Sequence, residues 1–428
     1  MITRRDLLKT SSIAALAGPF VRHASEIDAA LFARSDDGRP KKRVAIVATI
    51  WNYLSHAQHM GDRFLVGYPY AGTWQRPDIE VVSLYIDQKP GDDQSAARAA
   101  EFGFKVYPTI AETLRNGGSR LAVDAVVVIG EHGNYPRNHK GQKLYPRYEF
   151  FQQIVDVFEM DGRAVPVFND KHLSWSWRQA KEMVETARRL KFPFLAGSSL
   201  PVTWRFQSLE LPFGCEIEEA LMIGVGSSDA MDYHALEAMQ CMVERRKGGE
   251  TGIRSVQMVE GDAVWTAGVN GRWSQDLLEA ALSRSDTQYG DSQHPQDLAN
   301  NGDLRKLVKH PAAYFIERND GLQTTLLMLN GAVGDYTFAA RLRGTDELQS
   351  TQFFLPERPN VAYSACLVHK IVEMIRTGKA PYPVERTQLA SAVLDRCLDS
   401  KVSGHTRMAT PELDIRYTAP RESHYCNV

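Results

Sequence analysis

Asp124-Ala125-Val126-Val127-Val128-Ile129-Gly130-Glu131-His132-Gly133-Asn134-Tyr135-Pro136-Arg137-Asn138 is an apolar run that breaks into a polar loop. An uninterrupted apolar strand is buried on both faces, as the central strand of a parallel sheet is. The chain on either side agrees. Toward the amino terminus, strand-like runs at Val44–Ala48, Val81–Ile86 and Lys105–Tyr107 alternate with helical spacing over Ser55–Val66, Ala96–Phe102 and Thr109–Arg115. Toward the carboxyl terminus, helix Tyr148–Met160, strand Val165–Phe168, helix Trp175–Leu190 and strand Phe192–Ala196 continue the pattern. Strands alternating with helices predict βαβ units, here a doubly wound, Rossmann-like α/β domain over residues 43–203.

After Thr203 the pattern changes. Glu219–Val225, Ile253–Val259, Ala312–Arg318, Thr324–Leu329 and Tyr336–Leu342 have the apolar density of sheet, with helices expected at Asp232–Arg246, Ala362–Arg376 and Arg386–Leu398. Grouped strands with flanking helices predict an α+β domain with a broad sheet and closing helices over residues 204–428.

The first twenty residues, MITRRDLLKTSSIAALAGPF, place Arg4-Arg5, a short apolar stretch and Ala15-Leu16-Ala17 in the order of a twin-arginine export signal. Residues 1–42 therefore read as signal and linker, with the twin-arginine export machinery as a partner and a periplasmic or otherwise exported location. Lys plus Arg is 50 and Asp plus Glu is 52, a formal charge of −2, which argues against sequence-independent nucleic-acid binding. No apolar run approaches the ~20 residues needed to span a bilayer, so no integral membrane domain is expected. The five cysteines are widely spaced with no Cys-x-x-Cys pair. That favours buried free thiols over a thiolate zinc site, and leaves a disulfide open in an exported chain.

Ligands of doubly wound sheets bind beyond the carboxyl ends of the strands. Two polar loops fall there, one carrying Glu131 and His132, the other Asn169-Asp170-Lys171-His172. Lys171 suits proton transfer or a cationic contact, and its structural alternative is an ion pair with Asp170 or Glu131. The loop after the first strand, Thr49-Ile50-Trp51-Asn52-Tyr53, has no glycine before Gly61. Bulky side chains there obstruct the close backbone approach that a pyrophosphate needs. Asp87 ends the second strand, where a ribose-binding acid or a turn-capping aspartate would sit. His56, His59 and Asp62 have helical spacing that allows an alternative divalent-metal site, against a plain capped helix start at Ser55. In the second half, His234 follows Asp232 on a helix, with Glu237 one turn on.

Together these features resemble the glucose–fructose oxidoreductase / inositol dehydrogenase (Gfo/Idh/MocA) family. Asp124-Ala125-Val126-Val127-Val128 is similar to that family's central strand. Asp170-Lys171 resembles its Glu-Lys after the fifth strand. Gly197 followed by Arg205 echoes its sixth-strand motif, and Pro381–Thr387 resembles the start of its closing helix. The resemblance covers most of residues 43–400. It implies an oxidoreductase-like enzyme of a sugar or polyol, with Lys171, His234, Glu131 and His132 catalytic. Thr49, Asp87 and Asp170 would hold NAD or NADP in an atypical site. It also implies a carbohydrate-like small-molecule substrate, a homo-oligomer and no metal. The missing glycine-rich fingerprint keeps two alternatives open, a cofactor-free or metal-assisted acid–base enzyme and a non-catalytic periplasmic binding protein. Glu131, His132, Lys171 and His234 are expected around one pocket, with Lys171→Ala abolishing turnover at little cost in stability.

Overall fold

The structure, a computed structural model, describes residues 40–226, 229–289, 297–357 and 360–427. The export-signal reading lies outside the described residues. Residues 42–428 form one compact unit. Its first sheet has six strands: β1 (Lys42–Ala48), β2 (Ile79–Ile86), β3 (Lys105–Tyr107), β4 (Ala125–Ile129), β5 (Val167–Asp170) and β6 (Phe194–Gly197). All neighbours are parallel and the spatial order is 3-2-1-4-5-6, that of a dinucleotide-binding fold. The central strands are buried throughout because helices cover both faces, as the apolar run at 125–129 requires. The connecting helices are α1 (His56–Val66), α2 (Ser95–Phe102), α3 (Ile110–Arg115), α4 (Arg147–Asp161) and α5 (Trp177–Leu190).

The second sheet has eight strands: β7 (Trp204–Phe206), β8 (Ile217–Gly224), β9 (Ile253–Glu260), β10 (Ala312–Arg318), β11 (Gln323–Met328), β12 (Tyr336–Leu342), β13 (Gln349–Phe354) and β14 (Met408–Ala409). Its order is 14-9-10-11-8-12-13-7, antiparallel except for the β8–β11 pair. Helix α6 (Asp229–Val243) packs on one face, and α7 (Asp262–Val269) and α8 (Gln275–Leu282) on the other, with a short α9 (Asp303–Leu307) beside them. The parallel sheet and the broad mixed sheet are therefore those expected from the sequence. The short edge strand β7 and its neighbour β13 were not legible as sheet, and neither was a hairpin of Tyr68–Tyr70 with Thr73–Gln75 that lies between α1 and β2.

The last two long helices join the halves. Helix α10 (Ser364–Thr377) puts Ala365, Leu367, Val368, Ile371 and Met374 into the same core as Val44, Ile46 and Val127 of the first sheet. Helix α11 (Glu385–Val402) packs against α5, α6 and β9. Its Arg386 is fully buried and is bound by Glu244 of the segment after α6. Among the described residues no helix is long and apolar enough to cross a membrane.

Candidate functional site: a buried acid–base cluster at the strand ends

The site starts from two strand ends. After β4, Gly130 leaves room for a neighbour: a Cβ there would lie 2.6 Å from Cγ of Arg147. Arg147 opens α4, runs past Gly130 and binds the Glu131 carboxylate, while its Nη1 donates to Nε2 of His172 at 3.0 Å. After β5, Lys171 turns back with φ 61°, and its backbone N–H donates to the Gly197 carbonyl at 3.0 Å. Its ammonium lies 3.4 Å from Oε1 of Glu131. His132 is also left-handed, with φ 69°. Non-glycine residues in this region cost of order 1–3 kcal/mol, a strain that clusters at functional sites. Both strained residues here belong to one polar cluster.

Helix α1 supplies the third wall. The His56 Nδ1 lies 2.7 Å from Oδ2 of Asp170. The rings of His59 and His132 stand edge-on to His56, with centroids at 4.8 and 5.1 Å. The second sheet's half contributes His234. Lys171, His56, Glu131 and Arg147 all act on it electrostatically, and its Nδ1 is buried without a partner. The four residues expected around one pocket, Glu131, His132, Lys171 and His234, are thus gathered in one electrostatic environment. Lys171 takes the Glu131 ion pair, and Asp170 turns instead to His56.

Burial sets the protonation states. It pushes Asp170 up to about 7, against the opposing charges of Lys171 and Arg147. It also pushes His56, His172 and His234 well below the ordinary imidazole value, helped by the nearby cations, and lowers His132 despite Glu131. Burial works against ionisation of Glu131 too, but Lys171 and Arg147 outweigh it and hold the carboxyl well below the usual range. While Asp170 is protonated the cluster contains one carboxylate, two cations and neutral imidazoles, a net positive charge; once Asp170 ionises, two carboxylates balance the two cations.

The expected cofactor residues are differently employed. Thr49 is fully buried, and its Oγ1 donates to the Glu131 carbonyl at 2.6 Å. The Asp87 carboxylate accepts from the hydroxyls of Tyr135 at 2.6 Å and Tyr85 at 3.0 Å. Gln88 is locked to the Asn134 backbone through both its Oε1 and its Nε2. Trp51 is fully buried over Gly61 of α1, where a Cβ would come within 2.4 Å of its ring. The amino terminus of α1 is closed by its own side chains. Ser55 Oγ accepts from Gln58 N and Asn52 N, and Gln58 Oε1 accepts from Leu54 N. A dinucleotide pyrophosphate needs those amides free and a glycine turn beside them. These residues do not fit a nicotinamide dinucleotide in the usual pose, and Thr49, Asp87 and Asp170 have other partners.

The alternative metal set does not converge either. The Asp62 carboxylate is taken by Arg98 at 2.8 and 3.1 Å and by Gln58 at 2.7 Å. Among the described residues no three His, Cys, Asp or Glu side chains are arranged to hold a metal ion. Sequence reasoning missed Arg147, which lies one residue before the expected helix 148–160 and opens the observed one. A cation in the first turn of a helix opposes the helix dipole, and that conflict was the available signal that it serves another purpose.

No family model and no curated relative matches the chain. Solved structures do. Myo-inositol 2-dehydrogenase from Lactobacillus plantarum superposes with a TM-score of 0.51 at 12% identity, covering 86% of this chain and 99% of that one. GenD2 from gentamicin A biosynthesis, solved in complex with NAD, gives 0.51 at 13% identity, covering 87% and 97%. At this identity the likeness is one of fold: the chain has the two-sheet architecture of an inositol dehydrogenase over nearly that enzyme's whole length.

Proposed function

We propose that this protein is an enzyme that moves protons on a hydroxylated carbonyl substrate of sugar type, without a nicotinamide in the usual pose. The observation that carries the reading is the His56–Asp170 pair at 2.7 Å beside the Glu131–Lys171–Arg147 cluster. When Asp170 is ionised it accepts the Nδ1 proton of His56, which leaves the other ring nitrogen with a free lone pair. His56 is the reachable member, with 15% of its side chain exposed against 1% for Asp170. It removes a proton from the carbon next to the substrate carbonyl, and the electron pair moves onto the carbonyl oxygen. The Lys171 ammonium stabilises that developing oxyanion. Return of that proton by His56 to the former carbonyl carbon, while the hydroxyl proton of the first carbon passes to the oxyanion, gives an aldose–ketose isomerisation. His132 and His234 orient substrate hydroxyls.

The test is incubation in D2O with a panel of ketoses, aldoses and uronates, read by proton NMR. Loss of a carbon-bound proton signal without added nucleotide is expected. Strict dependence on NAD or NADP would instead favour the second reading, oxidation of a sugar or polyol by hydride transfer, which rests on the fold shared with the NAD complex of GenD2. Export is part of the proposal: replacing Arg4 and Arg5 together by Lys is expected to retain the protein in the cytoplasm.

A further inference from the structure

Along α1 lies a cleft of about 220 Å3, lined by Gln58, His59, Asp62 and Arg63 of that helix, by the 68–75 hairpin and by residues 360–362. Three of the large apolar side chains that the described surface exposes, Tyr53 (63%), Trp74 (52%) and Val66 (46%), line this one cleft. Scattered single exposures are ordinary, whereas a cluster at one concave place marks a binding site. The indole is held rather than loose. Trp74 Nε1 donates to the Val66 carbonyl at 3.1 Å, and Gly67, at φ 93°, has no Cβ because that atom would lie 2.7 Å from the indole nitrogen.

The polar lining is fixed as well. Asp62 is held by Arg98 and Gln58, and Arg63 donates to the carbonyls of His59, Asn360 and Val361. The cleft reaches His59, which is 4% exposed and whose Nδ1 has no partner. On its other side the His59 ring meets His56. A flat aromatic face ringed by fixed carboxylate, guanidinium and amide groups suits a pyranose ring, which presents an apolar C–H face and a rim of hydroxyls.

We infer that this cleft is a subsite for a second sugar ring, so that the substrate is a glycoside of at least two rings rather than a free monosaccharide. The inference rests on the sugar-type substrate proposed above and extends it to substrate length.

The test is binding of cellobiose, maltose and xylobiose, with glucose and xylose as single-ring controls, followed through the indole N–H resonance of Trp74, assigned by Trp74→Phe. At least one disaccharide is expected to shift that resonance and to bind about tenfold more weakly to Trp74→Ala, while the single-ring sugars leave the resonance in place. No shift with any of the three disaccharides, or equal affinity in Trp74→Ala, overturns the subsite. So does a sedimentation experiment in which Trp74→Ala dissociates a dimer, since the cleft would then seat a second copy. Circular dichroism confirms that the variants are folded. Because the readout is binding, a protein that binds disaccharides but exchanges no deuterium refutes the chemistry and keeps the subsite. Exchange on monosaccharides with no disaccharide binding does the reverse.

Discussion

His56 and Asp170 make a two-residue switch whose setting depends on one proton. Asp170, raised to about 7, keeps its proton in the fold when an unfolded aspartate has already lost it. A raised carboxyl pKa favours the folded state fully below about 4, and that contribution is lost as pH rises through about 7. Activity runs the other way, because His56 acts as a base only after the pair has lost that proton. kcat/KM is expected to rise through pH about 7, while the melting-temperature advantage of Asp170→Asn over the parent grows from pH 4 to 8. In that variant the amide donates to Nδ1 and leaves His56 protonated on its other nitrogen, so kcat should fall by about two to four orders of magnitude. A flat pH–rate profile would separate Asp170 from catalysis. Lys171→Ala is expected to lower kcat about 100-fold or more. It should also cost about 1–3 kcal/mol by denaturant unfolding, since Glu131 keeps Arg147 but loses its second cation. The sequence expectation of little stability loss counted only the small share that a pocket lysine has in core packing. Lys171 is 5% exposed.

At the scale of elements, the β1–α1 connection separates this protein from a nucleotide-binding enzyme. The connection is filled by Trp51 and closed by Ser55 and Gln58. Titration with NADH, followed by its fluorescence, should therefore give no saturable binding below millimolar concentration. Tight binding would show that the loop rearranges. The sequence already carried half of this conclusion, because the absence of glycine between Ala48 and Gly61 is visible by inspection. The partners that fill the space were not visible, since Tyr135 reaches Asp87 across 48 residues. The regular elements were legible because long apolar periods dominate them, and Ala312–Arg318 and Tyr336–Leu342 have the expected bounds. Strands β7 and β13 and the hairpin were not, because strands of three to six residues with mixed polarity carry too little pattern.

At the scale of the whole molecule, the first sheet does not own its core. One of its faces is sealed by α10, whose buried Leu367, Val368, Ile371 and Met374 come from far along the chain. A chain ending at residue 357 should therefore collect in the insoluble fraction, with any soluble remainder binding a hydrophobic dye. A soluble, cooperatively melting fragment would show that the sheet closes by itself. The meeting of Glu131 and His132 with Lys171 could be expected from the strand-end topology, whereas that of His234 could be expected only through the resemblance, because no local pattern reports which faces of two sheets meet.

The grip of α10 on α1 also sets a clock. Ser364 Oγ donates to the His59 carbonyl, and Arg63 reaches Asn360, 297 residues away in the chain. At the ~5–20 residues per second of synthesis, the helix bearing His56 waits roughly 15–60 s on the ribosome before its clamp exists. Throughout that interval the apolar face of β1 and α1 lacks the helix that covers it in the folded chain. His56 is therefore made early and is among the last side chains to be put in place.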